Sequence, residues 1–90
     1  MTNTTPAALS DRGIHIVYAE GDRYPYSVER EWLGEFYEIA AVSTTEEARV
    51  VADAWIRAGN PGPHSWHEGS READRAVEYA LDNHREETRP

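Results

Sequence analysis

Ser43-Thr44-Thr45-Glu46-Glu47-Ala48-Arg49-Val50-Val51-Ala52-Asp53-Ala54-Trp55-Ile56-Arg57-Ala58-Gly59 is the stretch where the periodicity of this chain turns over. Before it, apolar residues alternate with polar ones. Within it, Ala48, Val51, Ala52, Trp55 and Ala58 recur at helical spacing. Its opening offers two overlapping capping boxes, Ser43 with Glu46 and Thr44 with Glu47, in which hydroxyl and carboxylate satisfy amides that the first helical turn leaves free. Both glutamates also sit where the positive end of a helix favours negative charge. Gly59 stands where a left-handed residue ends a helix. The chain therefore passes here from strands to helices.

Upstream, Ile14-His15-Ile16-Val17-Tyr18-Ala19 is β-branched and aromatic and stops at Gly21-Asp22, a strand followed by a turn. Pro25, lacking an amide hydrogen, suits the start or edge of the next strand. From Tyr26 to Leu33 the residues alternate. Tyr26, Val28 and Trp32 share one face, interrupted by Arg30; Ser27, Glu29, Glu31 and Leu33 share the other. Gly34 breaks the run and Phe36 to Val42 forms a third extended segment, so a hairpin is expected there. Residues 1–12 show no periodicity and read as a flexible N-terminal tail.

Downstream, Asn60-Pro61-Gly62-Pro63 cannot continue a helix, and a loop runs through His64, Trp66 and His67 to Gly69. Ser70 is placed to cap a second helix with the stripe Ala73, Ala76, Val77, Ala80, Leu81 and His84. The chain should loosen from Glu86, with residues 88–90 a frayed C-terminus. The expectation is an α+β fold, a three-stranded antiparallel meander followed by two helices packed on one face (β-β-β-α-α). A single small domain would span residues 13–87. The strands leading into Ser43-Thr44-Thr45-Glu46-Glu47-Ala48 are similar, over about residues 14–58, to the antitoxin half of the HicAB toxin–antitoxin modules. That resemblance implies an acidic regulator of a toxin. Ala40-Ala41-Val42 stands where that family carries a Pro-Gly-containing segment.

Composition narrows the function classes. Nine arginines face seventeen carboxylates, a net charge of −8, and the chain has no lysine, cysteine or glutamine. Nucleic-acid affinity comes largely from neutralising phosphates, so direct binding to nucleic acid is disfavoured. Without cysteine there is neither a disulfide framework nor a thiolate metal site. Apolar runs reach only four residues, as in Ile39–Val42, so no membrane span is expected. The polar, uncharged Met1–Ser10 does not resemble a signal peptide, and the expected location is cytoplasmic.

No catalytic signature stands out, and neither an enzyme nor a cofactor is expected. His64 and His67, beside Glu68, are the one histidine pair at ligand-like spacing, too few groups for a closed metal site. His15 and His84 read as hydrogen-bonded core histidines. Glu29 and Glu31 project together from one strand face and form a negative strip. Tyr24, Tyr26 and Trp66 lie in or beside turns, where exposed aromatics make interface anchors. Glu78 and Asp82 lie on the outer face of the last helix. Together these residues, Tyr24, Tyr26, Glu29, Glu31, Trp66, Glu78 and Asp82, outline a protein-binding surface. The expected function is a small acidic protein-binding module, an inhibitor or an anti-defence accessory protein of the phage or mobile-element type. Its partner would be a basic protein, such as one that binds nucleic acid, engaged by charge mimicry; the chain itself would be a monomer or homodimer. An antitoxin-like regulator and a small metal- or ligand-binding domain using the His64/His67 loop are the alternatives.

Overall fold

The computed structural model describes residues 2–89. Four antiparallel strands, β1 (Thr2–Asn3), β2 (Ile14–Tyr18), β3 (Tyr26–Trp32) and β4 (Glu35–Val42), lie in the order β1-β2-β3-β4. Three helices accompany them: α1 (Ala7–Ser10), α2 (Thr45–Arg57) and α3 (Ser70–Thr88). The α+β architecture is as expected, but the sheet has four strands rather than three. The additional one comes from the aperiodic N-terminal residues, Thr2 opposite Tyr18 and Asn3 opposite Val17. A two-residue strand is too short to show alternation, and side chains do part of its pairing. Thr5 Oγ1 accepts from Ile16 N at 2.6 Å and lies 3.2 Å from Ile16 O, while Thr4 N donates to Ile16 O at 2.9 Å.

β3 and β4 are joined by Leu33 and Gly34, both at positive φ (52° and 83°), the two-residue turn whose twist matches a hairpin. The register shifts between Val28 and Glu29, leaving Ile39 as an extra residue on β4. On one face of the sheet Ile14, Ile16, Val28 and Val42 are buried with Ala48, Val51, Ala52 and Trp55 of α2. α2 lies against β3 and β4, whereas the principal contact of α3 is α2, through Ala73, Val77 and Leu81. The other sheet face has no helix over it.

The ends of α2 explain why it forms. Thr44 is the N-cap and its hydroxyl accepts from Glu47 N at 3.1 Å. Of the two possible boxes the second is used, with a variation: the Glu47 carboxylate returns to Ser43, accepting from its amide (3.2 Å) and its hydroxyl (2.9 Å). At the other end Gly59 (φ 105°) donates to Ile56 O and Asn60 to Trp55 O, each at 3.0 Å, the paired bonds that close a helix on a left-handed residue. For α3 the cap is Gly69 (φ 85°) rather than Ser70, which is the first helical residue and is buried. The helix also persists beyond Glu86. Thr88 Oγ1 donates to His84 O at 2.9 Å; of the residues expected to fray, Pro90 lies outside those described.

Candidate functional site

Alternation places His15 of β2, Ser27, Glu29 and Glu31 of β3, and Phe36 and Glu38 of β4 together on the uncovered face of the sheet. Glu29 stands directly opposite Glu38 and Glu31 opposite Phe36. Like charges facing each other across strands repel. Between the first pair lies only the Ser27 hydroxyl, 2.8 Å from Glu38 Oε1 and 3.4 Å from Glu29 Oε2, and its single proton serves one of them at a time. Glu31 Oε1 is 3.1 Å from His15 Nε2, and the His15 ring meets Phe36 edge-on at 5.0 Å. Phe36 remains 54% exposed. No arginine of the strands reaches this face, because the single one, Arg30, points the other way.

Arg30 lies beneath the α2–α3 loop. Its guanidinium donates to Glu31 O and to Asn60 O (3.3 Å) and sits 5.7 Å from the centre of the Trp32 ring. Burial lowers its pKa from the ordinary arginine value, opposed by the neighbouring Glu31 charge. Gly13, at φ 73°, passes so close that a Cβ there would lie 2.5 Å from the guanidinium. This explains why a charge can interrupt the apolar face of β3.

The loop itself forms a cluster of rings. Trp66 stacks on His64 (4.9 Å, 6°) and contacts His67 (4.1 Å); His67 meets Trp32 (4.6 Å) and His64 meets Tyr37 (4.4 Å). His67 Nδ1 accepts from the His64 amide at 3.3 Å, which commits that nitrogen to the loop. No group of three or more metal-ligating side chains converges among the described residues. Trp66 is 74% exposed, with one side of its ring stacked on His64. A Cβ on Gly62 would fall 2.3 Å from His67 Nδ1. Gly62→Ala should therefore displace the His67 ring, cost about 1–3 kcal/mol as overpacking does, and change the Trp66 fluorescence maximum. Unaltered fluorescence and melting would show that the cluster is not held this way.

The remaining residues of the expected surface do not join the sheet face. Tyr24 is exposed in the β2–β3 turn with Arg23 over its ring at 5.5 Å. Tyr26 belongs to the helix-facing side, packed on Tyr18 at 5.0 Å. Glu78 and Asp82 are exposed on α3, in a row with Asp74. The Asp74 carboxyl is raised above the usual range by desolvation and then by Glu78, four residues on. An open groove of about 390 Å³ between α2 and α3, lined by Val50, Ala54, Ala76, Tyr79 and Ala80, adds only Asp53 and Arg57 as polar groups. The residues missed by sequence reading are Phe36 and Glu38. A two-residue turn at Leu33-Gly34 would have paired them with Glu31 and Glu29.

No family model matches the chain, and no curated protein or solved structure does either. The likeness to the HicAB antitoxins thus rests on the junction of strands and capped helix alone. No helix among the described residues is long and apolar enough to cross a membrane.

Proposed function

We propose that this protein is a small acidic binding module whose uncovered sheet face receives a basic surface of another protein. The observation that carries this reading is Glu29 facing Glu38 across the ladder with Glu31 beside them and, among the described residues, no arginine of the strands on the face, where His15 engages Glu31 alone of the carboxylates. Such an arrangement costs stability in the free protein and is relieved when a positive partner arrives. Phe36 supplies apolar contact area in the middle of the carboxylates, and the charge of −8 steers encounter with basic molecules. An inhibitor, an anti-defence accessory protein or an antitoxin would each use the face in this way. A partner that normally grips nucleic acid would meet carboxylates in place of phosphates.

The test compares proteins retained from a lysate by the immobilised chain and by Glu29→Lys/Glu31→Lys. Retention should be specific to the parent, fall as salt is raised, and correspond to an affinity about tenfold or more above that of the double variant. Equal retention by both, or retention indifferent to salt, removes the acidic-face reading.

A further inference from the structure

We infer that β4 is a docking edge at which an extended, basic segment adds to the sheet as a fifth strand, an inference that rests on the acidic-face reading. The two edges of the sheet differ. β1 offers two residues, whereas β4 runs for eight. Among the described residues, no main-chain group of Glu35–Val42 bonds outside the sheet. The strand contains no proline or lysine, two devices that blunt an exposed edge.

Hairpin geometry says which groups are free. A two-residue turn makes its flanking residues, Trp32 and Glu35, a hydrogen-bonded pair, and the pairs then alternate. Phe36 and Glu38 accordingly turn their N–H and C=O groups away from β3, toward the free edge. The opposite disposition on β3 agrees: Glu31, the partner of Phe36, sends its amide to Gly13 O at 2.7 Å on the far side. Past Glu38 the extra residue Ile39 disturbs the strand, so the regular edge is Glu35–Glu38.

The same two residues carry their side chains on the uncovered face. A strand paired with Phe36 and Glu38 would lay alternate side chains on that face directly beside Glu38, with Glu29 one strand further in and within reach of a long side chain laid across β4. Basic residues at those alternate positions meet the carboxylates, and the main chain supplies the rest. A second copy of this chain is a poor occupant, because its β4 edge carries glutamates and no basic residue and each copy carries a charge of −8. The partner chemistry is therefore an extended segment with arginine or lysine at every second position.

An eight-residue labelled peptide alternating arginine and valine tests this, beside the same peptide N-methylated on the amides of one edge. Both carry the same charge, but the second cannot complete a ladder. The unmodified peptide should bind at low salt at least about tenfold more tightly, the loss expected from one to two hydrogen bonds. Its binding should slow hydrogen exchange at the Phe36 and Glu38 amides. Equal binding of the two peptides, or binding without protection at those amides, overturns edge docking while leaving the acidic face as the site. Failure of both peptides to bind overturns the acidic-face reading as well.

Discussion

Trp55→Ala should remove about 3–5 kcal/mol of stability, the range for truncating a buried large aromatic. A domain of this length has roughly 5–15 kcal/mol in total, so the variant would lie close to unfolding. Trp55 is 1% exposed and the largest of the fully buried side chains. It sits where α2 faces the sheet, and its indole Nε1 donates to Pro61 O at 3.1 Å. The same residue's carbonyl receives Asn60 N in the helix-closing turn. Alanine would leave a cavity, an unpaired Pro61 carbonyl and a loosened start to the ring-bearing loop. The thermal midpoint should fall by about 12–40 °C, at roughly 4–8 °C per kcal/mol for this size. Trp66→Ala, at the exposed end of the same loop, is the contrast and should move it little. Circular dichroism melts of the two variants decide the matter: similar midpoints would mean that the core is not built around Trp55.

The second large effect concerns Glu47, a buried carboxylate at the start of α2. Arg85 Nε of α3 donates to its Oε2 at 2.7 Å, while Ser43 serves Oε1 through amide and hydroxyl. Burial alone would push this carboxyl up, but the bonds from Arg85 and Ser43 outweigh it and hold the group below its ordinary range. A depressed native pKa means that the folded state binds the proton more weakly than the unfolded chain does. The contribution is therefore complete at neutral pH and is lost as pH falls through the native value, from about pH 4.5 downward. Glu47→Ala should cost about 2–4 kcal/mol at pH 7, combining a lost cap partner with an Arg85 left unpaired. Half of the Arg85 side chain remains in water, which keeps the cost below that of a fully buried pair. Urea unfolding of parent and variant at pH 7 and pH 3 should show the gap narrowing at the lower pH. A gap that stayed constant would rule out ionisation of Glu47 as its source.

Legibility in the sequence followed the range of the interactions. The capping residues, the apolar stripe of α2 and Gly59 are local signals, and each does what its neighbours imply. The alternation of β3 correctly put Glu29 and Glu31 on the face away from Tyr26 and Val28 and marked Arg30 as an interruption. What it could not convey is that Arg30 is accommodated by the carbonyls of Glu31 and Asn60, one of them thirty residues on. β1 escaped notice because threonine hydroxyls, not alternating apolar residues, tie it to Ile16. Ser70 has the composition of a cap, yet Gly69 takes that position because the tight loop arrives with a left-handed backbone. Glu78 and Asp82 lie on a different surface from Glu29 because α3 is separated from the sheet by α2, a matter of layer order that no local pattern records.

The inequality of the two sheet edges sets a limit on assembly. A filament of sheets needs two competent ends, one to receive and one to be received, so that every addition regenerates the site it consumed. Here β1 presents two residues and its neighbouring threonines are already engaged with β2. A strand accepted at β4 leaves nothing comparable at the opposite end. Growth stops after one step, and a chain whose edge lies open and regular along Glu35–Glu38 has a built-in terminator against its own polymerisation.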